Sequence, residues 1–393
     1  MLRSLISGIS GLRAHQTMMD VTGNNIANVN TAGFKSSQTV FEDTLSQMLK
    51  AAGAPQNGNG GTNPAQVGLG VKMAGITNNF GQGAAQNTGR NTDLMINGDG
   101  FFVVRSGGEE QYSRSGAFSF DASGRMINPD GGVVQGWTAT NGVVNVDSTP
   151  GDVALPVGTL LQPTPTGNVQ IGGNLPADTT STTPIDRSIT IYDAQGNAKT
   201  LTASFTKNSA TNWSVTISDG TTTSSATAIA FDPVTGNTPA PTSVMFGAVK
   251  VDLSGLTSYA GSTTVAALSQ DGSEMGSLQS FTISSDGLLV GVFSNGLKQP
   301  LAQLAMATFN NPTGLEKVGN SMYRSSVNSG TPQLGVAGGG GRGLIQSGAL
   351  EMSNVDLAQE FTNLIIAQRG FQANSKVIST SDELLQDLVN LKR

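Results

Sequence analysis

The chain contains no cysteine. Disulfides, thiolate metal sites and cysteine nucleophiles are therefore excluded, while the compartment stays open, because a cysteine-free chain works inside or outside a cell. Histidine occurs once, at His15, and no Ser/His/Asp set forms around it; on an amphipathic stretch its ordinary role is a surface or interface one. Charged residues make up only 12% of the chain, the net charge is −6 and there is no basic run, so nucleic acid is not expected as a partner. No apolar run reaches the ~20 residues that cross a bilayer, so membrane insertion is not expected. No glycine cluster reads GxxxxGK[ST]. The carboxylates are scattered, and Asp99, Glu109 and Glu110 read as solvated loop charges rather than a glycosidase pair. No enzymatic activity, metal or cofactor is expected. The first nine residues lead straight into a polar run from Ser10, without the apolar core or small-residue cleavage site of a secretory signal. Work outside the cell would require a route that clips no signal.

What is present is unevenly distributed. Glycine supplies 51 of 393 residues, and Ser, Thr and Asn crowd the middle, the composition of a β-rich, loop-rich body. The length allows two or three domains. The two ends differ from this middle. From Ser353 to Leu391 there is no proline, and Leu357, Leu364, Phe371, Ile378 and Leu385 stand seven apart, widened by Phe361, Ile365, Val377, Leu384, Leu388 and Leu391. That spacing predicts an amphipathic helix about 55 Å long at ~1.5 Å per residue. Leu5, Leu12, Met19 and Ile26 form a matching stripe with Leu2 and Ile9 between them, predicting a helix over residues 3–28. Gly8, Gly11 and Gly23 each cost it about 1 kcal/mol relative to alanine. Neither helix buries its stripe alone. The ends are expected to pair with each other, or with the ends of other copies, in coiled-coil fashion. The fold class predicted is multidomain α+β, with long terminal helices pairing as a coiled-coil-like stem and two mainly-β domains inserted between them.

Local signals mark the middle. Residues 24–34 (NNIANVNTAGF) hold Asn24, Asn25, Asn28, Asn30, Thr31, Gly33 and Phe34; Asn and Gly tolerate left-handed backbone, so a helix stop and tight turns are expected. Val40 to Leu49 reads as a short helix with Phe41, Leu45, Met48 and Leu49 on one face. Residues 51–70 read as a Gly/Asn/Pro-rich linker. Asn97-Gly98-Asp99-Gly100 between two apolar runs predicts a hairpin over 93–104. A second hairpin is predicted over 188–205, around Gln195-Gly196-Asn197. With the alternating Trp213, Val215 and Ile217 it points to an all-β sandwich or barrel ending near Gln270. Strands return over 278–309 with turns at Asp286-Gly287 and Asn295-Gly296. Gly338 to Gly341 reads as a flexible joint, and Ser353 as the N-cap of the last helix.

Three segments carry a resemblance. SGLRAHQTMMDVTGNNIANVNTAGFK, unbroken from Ser10 to Lys35, resembles the N-terminus shared by the axial proteins of the bacterial flagellum, rod and hook. SNVDLAQEFTNLIIAQRGFQANSKVISTSDELLQDLVNL resembles their C-terminus, and DLMINGDGFFVV their common strand motif. Distal-rod members are shorter and lack the insertion at 150–270, and Asn174 to Thr206 resembles the β-domain inserted in hook members, so the hook branch is expected. The resemblance implies a structural subunit that polymerises into a flexible hollow tube, a universal joint passing torque from rod to filament. It implies an inner helical domain of 1–30 and 353–393, a connector of 31–70, a discontinuous middle β-domain of 71–149 and 271–345, and an outer β-domain of 150–270. Packing between subunits would fall to Leu5, Ile9, Leu12, Met19, Ile26, Leu357, Phe361, Leu364, Phe371, Ile378, Leu385 and Leu388. The implied partners are other copies in a helical homopolymer, rod proteins proximally, a hook cap during assembly, hook–filament junction proteins distally and the flagellar type III export apparatus. The implied place is the extracellular hook, reached without a cleaved signal peptide. An FxxxΦ element that docks to the export gate in this family matches Phe41 to Leu45, although that spacing equally describes a helix face. Some hook members crosslink through a cysteine; this chain has none. The alternatives are a rigid distal-rod subunit and, in another class, a β-rich extracellular carbohydrate-binding or glycan-active protein. The latter leaves both terminal stripes unexplained.

Overall fold

The computed structural model describes residues 2–55, 60–140, 142–155, 158, 160–178, 183–209, 211–237 and 241–390. The chain forms two compact units. One comprises Met1–Leu155, Thr282–Val290 and Pro300–Arg393, the other Pro156–Phe281 and Gly291–Gln299. The protein is mostly β, with one helix near each end.

In the first unit, helix α1 spans Leu2–Ala27 and helix α2 spans Leu357–Asn390. They lie side by side and antiparallel. Ser4 meets Ser381, Gly8 faces Ile378, Gly11 faces Asn374, Gly370 faces His15 and Asn25 reaches Glu360. Small residues set the approach, since a Cβ on Gly11 would stand 2.8 Å from the Asn374 side chain and one on Gly370 would run into the His15 ring. Ala14 and Ala367 are buried. The glycines that weaken α1 as an isolated helix are what let the second backbone come close. Asp356, not Ser353, caps α2, its carboxylate accepting the N–H groups of Ala358 and Gln359. An anionic cap also meets the positive end of the helix dipole.

The segment expected to be a helix followed by a linker is instead a long antiparallel ribbon. Strand Ser37–Asp43 pairs with Val71–Asn78, and Ser46–Lys50 pairs with Ala65–Gly68. Apolar residues four apart suit a strand face as well as a helix face, and the partner strand decides between them. The hairpin expected over 93–104 is also not formed. Leu94–Asn97 pairs with Leu344–Ser347, while Phe101–Ser106 turns at Gly107-Gly108 and pairs with Glu109–Ser113. Phe101–Ser106 also pairs with Val133–Thr140 and Met306–Thr308. Enclosed by neighbours, Phe101 to Val104 are buried on both faces, which is why they read as an unbroken apolar run. Phe80, Phe101, Phe309, Tyr112 and Tyr323 pack edge to face around them. Ala85–Asn87 pairs with Ala349–Glu351, so the chain re-enters this unit beside its own start. The Gly338 to Gly341 stretch is a fastened turn. Gly338 N–H donates to the Gly343 carbonyl, Gly343 N–H to the Asp99 carbonyl, and Arg342 Nε to the Val336 carbonyl.

The second unit is a β-sandwich. One sheet orders Ser243–Phe246, Val249–Thr257, Asn168–Asn174 and Ala266–Gln270, the middle pair parallel; the other is the antiparallel meander Ile185–Tyr192, Ala198–Lys207, Asn212–Ser218, Thr227–Ala230. Alternate residues of both sheets, among them Val169, Ile171, Val251, Phe205, Trp213, Val215 and Ile217, form one core. Asp193, Asp219 and Asp232 accept backbone N–H groups of their own turns, and Asp271 accepts those of Gly167 and Asn168, bonds that hold the four carboxyls below the ordinary 3.8.

Two outcomes are expected. Gly23 has open space around it, so Gly23→Ala stabilises α1 by about 0.5–1 kcal/mol. Gly370→Ala gains the same propensity but destabilises by about 1–3 kcal/mol because the seam is overfilled. Thermal unfolding followed by circular dichroism at 222 nm separates the two signs. For the second unit, lowered carboxyl pKa values supply stability that is present above the unfolded value of 3.8 and lost as pH falls through the lower folded values. The urea midpoint read from Trp213 fluorescence in a Trp137→Phe background is expected to be flat near neutrality and to drop in acid; a midpoint independent of pH down to the folded values contradicts this.

Candidate functional site

The terminal stripes are divided between the seam and the surface. Leu5, Leu12, Met19 and Ile26 of α1 are half-buried, as are Leu364, Phe371, Ile378 and Leu385 of α2. Ile9, Leu357 and Phe361 are exposed, and the side chain of Leu388 lies outside the described residues, as do Leu2's side chain and all of Leu391. Because glycine, alanine and short polar residues occupy the closest approach, larger side chains are left on the flanks. Phe361 is 50% exposed and Ile365 56%, and Ile6, Ile366, Val377, Leu384 and Val389 are exposed with them. Beside α1, Ile6, Ile9, Val71 and Met73 line a groove of about 420 Å³ against the ribbon.

The Asn-rich turn joins α1 to this ribbon and to α2. Asn25 is buried; its amide donates to the Ser37 carbonyl at 2.8 Å and to Glu360 at 2.9 Å, and its oxygen accepts the Ser37 N–H at 3.0 Å. Asn28 bonds back to the Asn24 carbonyl and accepts the Thr31 hydroxyl. Gly33 takes φ +69°, its N–H donates to the Glu351 carbonyl at 2.7 Å, and a Cβ there would strike the Ser115 backbone. The Phe34 ring lies 5.0 Å beneath the Lys317 ammonium. Asn30 is exposed.

Beneath the turn lies a buried charge cluster. Lys35 Nζ donates to Glu351 Oε1 at 2.6 Å and to the Gly81 carbonyl at 2.8 Å, and Gly83 N–H donates to the same carboxylate oxygen. Arg114 Nη1 stands 3.6 Å from Glu351 Oε2, with its guanidinium 5.4 Å from the centre of the Phe101 ring. All three charged residues are at most 2% exposed. Burial lowers both the Lys35 and the Arg114 pKa, opposed in each case by Glu351. Around the cluster, Asn354 accepts the Ser36 N–H and donates to the carbonyls of Asn79 and Gly81. The end of α1, the start of the ribbon, the approach to α2 and the middle strands are thereby fastened at one point. Sequence reasoning missed this cluster, because a buried lysine or glutamate leaves no periodic trace; the one hint was that charge is scarce in the whole chain.

Phe41 and Leu45 are not on a helix. Phe41 lies in strand Ser37–Asp43, its ring 6.3 Å from that of His15, and Leu45 stands just beyond the strand at 83% exposure. No group of His, Cys, Asp or Glu among the described residues has the arrangement of a metal site.

Comparison with known proteins adds an independent line. Residues 5–35 match the family described as flagella basal body rod protein, residues 95–202 the flagellar hook protein FlgE/F/G D1 domain, and residues 346–391 the flagellar basal body rod FlgEFG protein C-terminal family. The chain is 38% identical to the flagellar hook protein FlgE of Borreliella burgdorferi over the whole of both chains. It is 36% identical to that of Escherichia coli over 98% of each. It is also 34% identical, over the whole of both, to the flagellar basal-body rod protein FlgG of Bacillus subtilis. The crystal structure of Helicobacter pylori flagellar hook protein FlgE2 shares the fold, with TM-score 0.53 and 16% identity over 68% of this chain and 100% of that one.

The cluster yields a clear test. Glu351→Gln leaves two buried cations without a counter-charge and is expected to destabilise the first unit by about 3–5 kcal/mol, whereas the triple change Lys35→Met, Arg114→Met, Glu351→Leu costs far less. Urea unfolding of the purified chain decides; equal losses in the two variants would show that the ion pairs do not set the cost.

Proposed function

The chain belongs to the family of flagellar hook and rod axial proteins, and on that premise we propose that it is the hook subunit, polymerising into a flexible hollow tube that couples the rod to the filament. The observation that carries the reading is the outward apolar surface of the helix pair. Phe361, Ile365, Ile366 and Ile9 stay in water in a single chain although α1 and α2 already lie together. Burial of apolar area is the dominant favourable term in association, and a surface of this kind is covered when copies pack side by side.

In this reading the paired terminal helices, residues 1–30 and 353–393, form a coiled-coil-like stem lining the inner wall. The ribbon within 31–70 is the connector, 71–149 with 271–345 the middle layer, and 150–270 the outer one. The low charge of the outer β-sandwich suits polar contacts that exchange as the tube bends and turns. Rod proteins, the cap, the junction proteins and the type III export apparatus are the further partners. The exposed Leu45 beside Phe41 suits a recognition element for that apparatus, read in extended rather than helical form. The tube stands outside the cell and its role is structural, not enzymatic. Relatives named flagellar hook protein, at 38% and 36% identity against 34% for the rod relative, support the hook over the rod reading.

Electron microscopy of basal bodies from a strain lacking this chain tests the assignment. Complete rods and rings with nothing beyond them are expected; truncated rods would move it to the rod, and intact flagella would overturn it. Phe361→Asp and Ile365→Asp are expected to abolish tubes while the exported monomer keeps its melting temperature, because both residues are already solvated in the single chain. Hooks of normal length on either variant would remove the helix flanks from the assembly surface.

A further inference from the structure

The helix pair carries two apolar surfaces of different shape. One is the groove between α1 and the ribbon. Ile6 and Ile9 line it from the helix, Val71 and Met73 from the ribbon, and Arg13 and Lys72 stand among them. The groove is held open by a bond across its base, Val71 N–H donating to Ser10 Oγ at 3.2 Å. The other surface is a ridge on α2. Leu357, Phe361 and Ile365 follow at four-residue spacing, 40%, 50% and 56% exposed. Side chains so spaced form a row of the kind that seats in a groove of another helix surface. The two surfaces face away from each other. Gln359 and Asn363 share a cleft with Ser37 and Gln38 of the ribbon. Phe361 and Ile365 stand two positions beyond them, about 200° round the helix, on the side away from the ribbon.

Within one molecule the packed helices keep ridge and groove apart, so each is covered from outside. We propose that the groove receives the Leu357, Phe361, Ile365 ridge of a second copy of this chain. Length fits: the groove runs from Ile6 to Thr17, about 17 Å of helix, and the ridge occupies about 12 Å. Local charge fits as well. Residues 1–19 carry Arg3 and Arg13 and no carboxylate side chain, and Lys72 adds a cation at the groove; residues 355–368 carry Asp356 and Glu360 and no cation. Opposite local charge steers two surfaces together and fixes their register. Arg13 makes no ion pair among the described residues, and a guanidinium is attracted to an aromatic face such as that of Phe361. The contact has a direction, because each copy offers its groove to one neighbour and its ridge to another. It also has a step. Gly8 faces Ile378 and His15 faces Gly370, so the groove stands level with the middle of its own α2, about twelve positions beyond the ridge. Joined copies are therefore displaced by ~18 Å along the helices, and the series climbs instead of closing as a flat ring. This contact rests on the reading of the chain as a polymer subunit and adds to it a receiving site and a direction.

The chain has no cysteine of its own, so a cysteine pair reports the contact directly. Met73→Cys lies in the groove and Ile365→Cys on the ridge, both at positions exposed in the single chain. Oxidation of tubes formed by the full-length double variant is expected to give a ladder of covalent multimers in denaturing electrophoresis, while either single variant stays monomeric. Tubes of the double variant that yield only monomer overturn the site and leave the polymer reading standing. Dimers and nothing larger at complete oxidation show a two-fold contact and overturn the direction. Should the double variant form no tubes, electron cryomicroscopy of tubes of the unaltered chain decides: Phe361 of one copy against Ile9 and Met73 of another, displaced by ~18 Å, is expected, and a groove filled by any other segment or by solvent overturns the proposal. Failure of the unaltered chain to form tubes removes both this contact and the polymer reading.

Discussion

The carboxylate of Glu351, held out of water between Lys35 and Arg114, is the contact on which the first unit's geometry depends. Apolar contacts tolerate sliding by fractions of an ångström. A desolvated ion pair does not, because each partner has lost its hydration and has no other source of compensation. Glu351 sits five residues before the cap of α2, and Lys35 two residues after Gly33, whose positive φ turns the chain out of α1. The backbone bond from Gly33 to Glu351 and the side-chain bonds of Asn25 and Asn354 repeat the same linkage. The directions in which both helices leave the β-body are thus set by polar bonds at their roots, not by the apolar stripes along their length.

The helix pair divides its labour by residue size. Gly8, Gly11, Ala14, Ala367 and Gly370 bring the backbones together. Bulky side chains cannot share that space, so Phe361, Ile365 and Ile366 remain in solvent. A chain built to stand alone would have closed large residues over one another. Here the internal contact is economical, and the adhesive surface is kept for contacts between molecules, consistent with an axial subunit.

The sequence was legible where a pattern repeats locally. Heptad spacing located both helices, and the alternation of Trp213, Val215 and Ile217 located the sandwich. It was illegible where a distant partner decides. Asn97-Gly98-Asp99-Gly100 is a good hairpin signal, yet Leu94–Asn97 pairs with a strand about 250 positions away, and nothing nearby encodes that. Phe41 fitted a helix until the strand from Val71 supplied a ladder. Residues 51–70 looked like a linker because glycine and asparagine dominate their composition, and the strand Ala65–Gly68 within them is defined by its partner Ser46–Lys50. The stripes announced that the ends are amphipathic, but not that small residues would fill the seam. Lys35, Arg114 and Glu351 carried no periodic signal, since burial of a charge is a property of the surroundings.

The span of the Lys35–Glu351 bond, 316 positions, has a kinetic consequence. Contacts this remote in sequence are reached late, after a large loss of chain freedom, and they slow folding. During synthesis, α1 emerges first and finds neither its partner helix nor the carboxylate at its root until some 320 further residues have followed. The sandwich, whose strands all lie within residues 168–270, can close on its own in the meantime. The molecule therefore matures from its middle outward, and its two ends, the parts that join it to its neighbours, are the last to become fit for joining.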